Sequence, residues 1–310
     1  MDRASGFGPD DWSSNLHGSA IFIFYEANKL FMIGKSILKK VYKKREKWSH
    51  KGQYGKLVVI AGCKRHTGSA CFVGLAAYRA GCDLVYIASP KRSADIAANF
   101  SPVLITEPLD GEKLMKRHVR KIISLIKEVR GTAVAIGPGL WRDKETNLAI
   151  IELIKKIDLP MVIDADAIRA IAGHREILSK KKCVLTPHAD EFKQYSGIKV
   201  GNNIKRRVNA VKHESHMINN VILLKGSTDV ISDGKKTIMN KTGTVYMTKG
   251  GCGDTLTGIC GCLLARGVDN FTAACAAAYI NGKAGEMASK KYKESLLPTD
   301  LIEEISKVIK

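Results

Sequence analysis

The sequence predicts an α/β fold built on a mostly parallel central sheet, and three observations carry that prediction. From Lys56 onward, short runs rich in Val and Ile alternate with longer amphipathic stretches, the pattern of strands crossing to helices. The runs are apolar almost throughout rather than at every second position, as in strands covered by helices on both faces. Several of them end in turns of small or polar residues, where open α/β sheets gather ligands.

Residues 1–31 share neither the periodicity nor the composition of the rest of the chain and read as an N-terminal extension. Met32 opens a helix, and residues 32–310 carry no linker, repeat or low-complexity segment, so they read as one domain. The apolar run from Ala20 to Tyr25 is far too short to span a bilayer, and Asp10 and Asp11 precede it where a signal peptide would carry positive charge. No membrane role and no export are expected.

Lys39, Lys40, Lys43, Lys44, Arg45 and Lys47 then form an exposed basic helix. Strands are expected at 56–61, 83–88, 132–136, 160–163, 183–186 and 221–224, with helices at 69–80 and 112–129. The second helix has Leu114, Val119, Ile122, Ile126 and Val129 at helical spacing. Segments 229–232 and 236–239 flank Asp233-Gly234, read as a two-residue hairpin turn that adds an antiparallel edge to the sheet.

Composition narrows the function. The 310 residues are 45% hydrophobic and 26% charged, an ordinary globular balance. Eight cysteines are scattered without a CxxC pair, so neither a zinc site nor a disulfide framework is expected, and a reducing cytoplasm is the natural setting. The formal charge of +20 comes from lysines spread along the whole chain, a solvated surface rather than a nucleic-acid stripe. Aromatic residues, at 6%, are too sparse for a base-stacking platform.

The chemistry centres on Lys249-Gly250-Gly251-Cys252-Gly253-Asp254, followed by Leu256, Ile259, Cys260, Leu263 and Leu264 at helical spacing. A glycine-rich turn opening a helix offers unpaired N–H groups to an anion, and glycine lets a phosphate approach the backbone. Asp254 falls in the first helical turn, where a carboxylate can take a proton from an attacking hydroxyl. Taken alone, the segment fits a tight turn and an acidic helix cap equally well. No GxxxxGK[ST] loop and no strand-preceded GxGxxG fingerprint occurs in the chain.

Four other turns follow strands. Gly137-Pro138-Gly139-Leu140 and Asp164-Ala165-Asp166-Ala167 are two of them, the second also readable as a helix cap. In Thr186-Pro187-His188-Ala189-Asp190-Glu191 the proline and the acids fit a helix start, which leaves His188 as the functional candidate. Lys225-Gly226-Ser227-Thr228-Asp229 offers a lysine and hydroxyls to a nucleotide. One ligand crevice at the strand ends is the economical explanation of all of them.

Together these residues resemble the ribokinase-like superfamily and, within it, the NAD(P)H-hydrate dehydratases. The resemblance covers roughly residues 46–290. It runs through Ser49-His50-Lys51-Gly52-Gln53-Tyr54-Gly55, Ala61-Gly62, Thr67-Gly68-Ser69, Ala80-Gly81, Gly137 to Leu140, Val162 to Asp166, Thr186-Pro187-His188, Leu224-Lys225-Gly226, Asn240-Lys241-Thr242-Gly243 and the glycine-rich turn. It implies a ribokinase-like three-layer α/β/α sandwich. The implied reaction is phosphorylation of the ring hydroxyl of (6S)-NADHX or (6S)-NADPHX by ADP, with loss of phosphate to restore NADH or NADPH.

By the same resemblance Asp254 is the base, and the N–H groups of Gly251, Cys252 and Gly253 hold the transferring phosphoryl group. Ser69, Gly139 and His188 contact the hydrated cofactor together with Asp254, while Lys225, Gly226, Ser227, Thr228, Asp229 and Gly253 face the nucleotide. Mg²⁺ sits on the phosphates, with no protein ligands identified. A homo-oligomer and a separate epimerase chain for the (6R)-hydrate are also implied. ATP in place of ADP, or a kinase of a hydroxymethylpyrimidine or thiazole alcohol, are the alternatives. The chain departs from the family pattern at Cys252 (usually Thr or Ser), His66 (usually Tyr), Ser69 (usually Ala), Asp190 (usually Gly) and Thr244 (commonly Asn).

Overall fold

The computed structural model describes residues 31–310. In chain order the elements are β1 (Phe31–Met32), α1 (Ile37–Val41), β2 (Lys56–Ile60), α2 (Gly68–Arg79), β3 (Leu84–Pro90), α3 (Lys91–Phe100) and β4 (Ile105–Leu109). Then come α4 (Val119–Glu128), β5 (Ala133–Ile136), α5 (Lys144–Lys156), β6 (Met161–Ile163), α6 (Ala165–Ala170), β7 (Cys183–Leu185), α7 (Ala189–Ser196) and α8 (Ile204–Ile218). The chain closes with β8 (Val221–Leu224), β9 (Asp229–Ser232), β10 (Thr237–Asn240), α9 (Cys252–Ala265), α10 (Asn270–Tyr292) and α11 (Pro298–Val308).

The ten described strands form one sheet in the order β1-β10-β9-β8-β7-β6-β5-β2-β3-β4. Pairing is parallel from β8 through β4, and β9 runs antiparallel to both β8 and β10. Successive residues of one strand enter opposite layers. Leu57 and Val59 pack with α2, α9, α10 and α11, whereas Val58 and Ile60 pack with α4, α5, α6, α7 and α8. Because both faces are covered, both sets are fully buried, which is why the strands read as unbroken apolar runs. The three-layer α/β/α architecture is the expected one.

The direction of winding decides where a ligand can bind. From β2 the chain goes outward to β3 and β4, then returns to lay β5 on the other side of β2. The carboxyl ends of β2 and β5 therefore flank a switch point, where the loops on the two strands diverge and leave a crevice. Gly137 is essential to it: at φ 132°, any Cβ would lie 1.8 Å from the Asp164 carbonyl oxygen.

Several expectations are corrected. Met32 does not open a helix, because Phe31 and Met32 pair in parallel with Ile238 and Met239 of β10. The remainder of the expected extension, residues 1–30, lies outside the described residues. The basic helix ends at Val41, where the Tyr42 hydroxyl turns to donate to the Ala80 carbonyl at 3.0 Å. Arg45 instead pairs with Asp83 at 3.1 Å and lies 4.0 Å over the Tyr54 ring.

The long helix begins at Val119 rather than at 112, after a 3₁₀ turn at Lys116–His118. Leu114 precedes it, its carbonyl accepting from Thr146 Oγ1 at 2.9 Å, so its burial imitates a helical position. The hairpin loop is four residues long, with Ser232 opposite Thr237; Gly234 takes positive φ and Asp233 does not. Asp233 Oδ1 instead accepts from the N–H groups of Lys235 and Lys236.

Candidate active site

The glycine-rich turn folds as its sequence requires. Gly251 precedes α9 with φ 100°, and a Cβ there would come within 2.8 Å of both Phe72 and Pro298. Thr255 is the first residue whose N–H reaches back to the Gly251 carbonyl, at 3.0 Å, so the first-turn amides at Gly253 and Asp254 head the helix. The Cys252 N–H departs from the expectation for an anion donor, since it points to the Lys249 carbonyl at 3.3 Å. Asn281 of α10 braces this turn, taking a bond from Thr255 Oγ1 at 2.7 Å and donating to the Cys252 carbonyl at 3.3 Å.

Asp254 is the most perturbed of the predicted site residues. Burial raises its carboxyl to about 7, the negative charge of Asp164 adds to the rise, and a hydrogen bond from Ser69 and the charge of Lys225 oppose it. Ser69 and Asp254, both expected to contact the hydrated cofactor, thus lie side by side. Ser69 Oγ would also lie 2.8 Å from a Cβ on Gly139, which fixes Gly139 as the close wall of the same spot.

Lys225, at the end of β8, projects into the middle of the crevice. Its Nζ donates to Asp164 Oδ1 at 2.8 Å and lies 3.9 Å from Glu191. Asp164 is 1% exposed and takes a second bond from Thr257 Oγ1 at 2.7 Å. Although Asp164 occupies the residue before α6, its side chain makes no cap there. Burial alone would lower the lysine's pKa, but Asp164 and Glu191 outweigh it and hold the ammonium above its ordinary value. A fixed positive charge thus lies near Gly253, where a Cβ would be 3.6 Å from Nζ.

His188 is not a free ligand. Its Nδ1 accepts from the N–H groups of Asp190 and Glu191, at 3.1 and 3.3 Å, and so caps α7. Its Nε2 lies 3.2 Å from Glu191 Oε1, so the ring presents its half-exposed face to the crevice. Burial alone would raise the Glu191 carboxyl, but hydrogen bonding with His188 and the charge of Lys225 hold it at about 2. Asp229 is likewise committed, accepting from Gly226 N at 2.9 Å and Asn240 Nδ2 at 3.0 Å, and so shapes the turn that presents Ser227 and Thr228.

Two cavities meet at the 225–227 ridge, sharing His188, Lys225, Gly226 and Ser227. The larger, about 910 Å³, reaches Gly253, Cys252, Val245, Met247 and Asn281; the smaller, about 560 Å³, reaches Arg207 and Thr228. Both are within the size range of small-molecule sites. Among the described residues no group of three or more His, Cys, Asp or Glu side chains is arranged to hold a metal. No described helix is long and apolar enough to cross a membrane.

Cys252 is 5% exposed, and burial pushes its thiol up to about 11, with the charge of Asp254 adding to the rise. The Ser49 to Gly55 segment lies elsewhere altogether, before the amino end of β2. There the N–H groups of Gly52 and Tyr54 bind Asp83 Oδ2 at 3.0 and 2.9 Å. It therefore marks the resemblance without lining the crevice.

A wound parallel sheet, a switch-point crevice and a glycine-opened helix carrying an acid define the ribokinase-like class. A ribokinase-like superfamily protein from Enterococcus faecalis shares this fold with a TM-score of 0.77 at 21% identity, covering 92% of this chain and 98% of that one. Within the class, the chain belongs to the NAD(P)H-hydrate dehydratase family, whose match spans residues 57–307.

An ADP-dependent (S)-NAD(P)H-hydrate dehydratase from Cenarchaeum symbiosum is 38% identical over 282 residues, 90% of this chain and 96% of that protein. A bifunctional NAD(P)H-hydrate repair enzyme from Pyrobaculum aerophilum is 42% identical over 84% of this chain, which spans only 52% of its length. The ADP/ATP-dependent NAD(P)H-hydrate dehydratase of Bacillus subtilis, co-crystallised with ATP and Mg²⁺, superposes with a TM-score of 0.73 at 26% identity, over 91% of this chain and 98% of that one.

Proposed function

We infer that the chain catalyses ADP-dependent dehydration of (6S)-NADHX and (6S)-NADPHX, returning NADH and NADPH. The observation that carries this reading is Asp254, a carboxyl held at about 7 beside a glycine-opened helix and a nucleotide-sized cavity. Such a group is half-ionised at neutrality and suits removal of a proton from a hydroxyl. The freed oxygen attacks the terminal phosphoryl group of ADP, the bond to AMP breaks, and the ring carries a phosphate ester. Phosphate is a far better leaving group than hydroxide; it departs with the C–O electron pair as the ring nitrogen donates its own, and loss of a neighbouring ring proton completes the double bond.

In this reading the Gly251 and Gly253 amides and the Lys225 ammonium stabilise the charge on the moving phosphoryl group. Cys252 contributes through its backbone position, Ser69 and Gly139 line the hydrate side, and His188 offers its ring face. Lys225, Gly226, Ser227 and Thr228 face the nucleotide, with Asp229 shaping their turn. Mg²⁺ would be held by the nucleotide's phosphates rather than by a protein cage and would neutralise part of their charge. The bifunctional relatives support a separate epimerase serving this chain. A homo-oligomer and a cytoplasmic setting belong to the same reading; the setting is supported by eight buried, unpaired cysteines.

The test is absorbance near 340 nm. Purified chain, hydrate, Mg²⁺ and ADP are expected to restore it, with ATP serving less well; a stable phosphorylated product without that absorbance would establish a small-molecule kinase instead. The pH profile gives a second prediction. Since Asp254 must be ionised to act and its pKa is about 7, kcat/KM should fall about tenfold per pH unit below neutrality and level off above it. A profile flat down to pH 5 would remove Asp254 from the role of base.

A further inference from the structure

Trp141 has the largest φ, 90°, of the five described non-glycine residues in the left-handed region. A bulky side chain there is strained, and such strain persists only where the surroundings hold it. Asp166, 6% exposed, supplies the hold: Oδ2 accepts from the Trp141 N–H at 3.3 Å and Oδ1 from Arg142 Nε at 2.8 Å. The Trp141 ring is half-buried and lies 6.4 Å from the His66 ring, centroid to centroid, with the planes tilted by 49°.

His66 is exposed, and its Nδ1 lies 3.5 Å from Cys63 Sγ. Its Cβ lies against Gly139, next to Ser69, where a Cβ on that glycine would come within 2.8 Å. Since His66 follows β2 and Trp141 follows β5, the rings face each other across the switch point, on the approach to Ser69 and Asp254. Neither ring lines the two cavities beside Lys225. Exposed Arg65 precedes His66 in the chain, and exposed Arg142, next to Trp141, pairs through Nε with Asp166.

We propose that Trp141 and His66 form an aromatic shelf that stacks against the hydrated pyridine ring of the substrate and sets affinity for the hydrate, not for the nucleotide. The proposal rests on the dehydratase reading. The hydrated ring keeps a flat face, because its remaining ring double bond is conjugated with the ring nitrogen and the carboxamide, and flat conjugated groups stack on aromatic side chains.

Trp141→Gly separates this role from packing, since glycine adopts φ 90° without strain. Relief of the strained backbone offsets part of the packing lost with the half-buried ring, so the variant is expected to stay folded. Its KM for the hydrate should rise by about tenfold, equivalent to about 1.4 kcal/mol, while its KM for ADP stays unchanged. Trp141→Phe, which keeps a ring, should stay within about twofold of the parent on both.

Calorimetric titration with the product NADPH reads the same site without turnover and should show a similar weakening in the glycine variant. An unchanged hydrate KM or equal NADPH affinity in the folded glycine variant would overturn the shelf while the reaction stands. A parent enzyme that fails to turn over the hydrate would instead overturn the reaction on which the shelf rests.

Discussion

Asp254→Asn is expected to lower kcat by about 10² to 10⁴, the range for losing a positioned base, while ADP still binds with near-parental affinity. The larger cavity keeps its lining and Lys225 keeps its bond to Asp164, so on the proposed reading calorimetric titration with ADP should report a folded, binding-competent and nearly inactive protein. Retained turnover would remove Asp254 from the mechanism.

The same variant should be more stable than the parent at alkaline pH. Between the carboxyl's ordinary 3.8 and its folded value of about 7, the native state holds a proton that the unfolded chain has released. The contribution of Asp254 to stability therefore declines as pH rises through that window and stays lost above it. Asparagine, neutral throughout, escapes the loss, so the advantage seen in thermal melts should be absent below about pH 4 and full above about pH 7.

The largest stability effect is expected from Asp164→Ala. Removing a nearly inaccessible carboxylate leaves Lys225 and Thr257 without their 2.8 and 2.7 Å partners. Breaking a buried pair on one side costs about 3–5 kcal/mol. The lower end applies here, because the Lys225 side chain is 20% exposed and Glu191 remains at 3.9 Å. Urea unfolding measures it, and a loss under about 1 kcal/mol would contradict the assigned pairing.

Asp164→Asn, which keeps the shape, should cost less and reveal the electrostatic coupling. After burial, the charge of Asp164 is the chief cause of the raised Asp254 pKa, so the acid limb of the activity profile should move to lower pH.

The sheet was legible in the sequence wherever strands are buried on both sides, since such burial leaves little but Val, Ile, Leu and Ala in each run. It was illegible at the margins. β4 reads Ile-Thr-Glu-Pro-Leu, and Pro108 is tolerated because this strand pairs on one side only. β1 is two residues long and exists through its pairing with β10, a contact across some two hundred positions that no local pattern encodes.

The site divides in the same way. Gly251 and Asp254 could be found because a positive-φ turn before an apolar helix demands glycine, and an acid in the first turn stands out. The chain of contacts around Lys225 could not, since Asp164 lies 61 residues before the lysine and Thr257, which bonds Asp164 in turn, lies 93 residues after that aspartate. Both were visible as residue types, yet an aspartate after a strand looks like a helix cap until the fold shows which group it faces. Asn281 and Trp141 left no local signal: one acts from the middle of a long helix, and the other owes its interest to a backbone angle.

The buried thiol at the head of α9 bears on which atom receives the phosphoryl group. Sulfur is intrinsically a stronger nucleophile than a hydroxyl, but only as thiolate, and a thiol held at about 11 supplies almost none at neutral pH. On the proposed reading Cys252 can therefore stand beside an activated phosphate without diverting it to a dead-end thioester of phosphoric acid. For the same reason it resists the peroxides that attack ionised cysteines, so this departure from the family pattern is chemically silent.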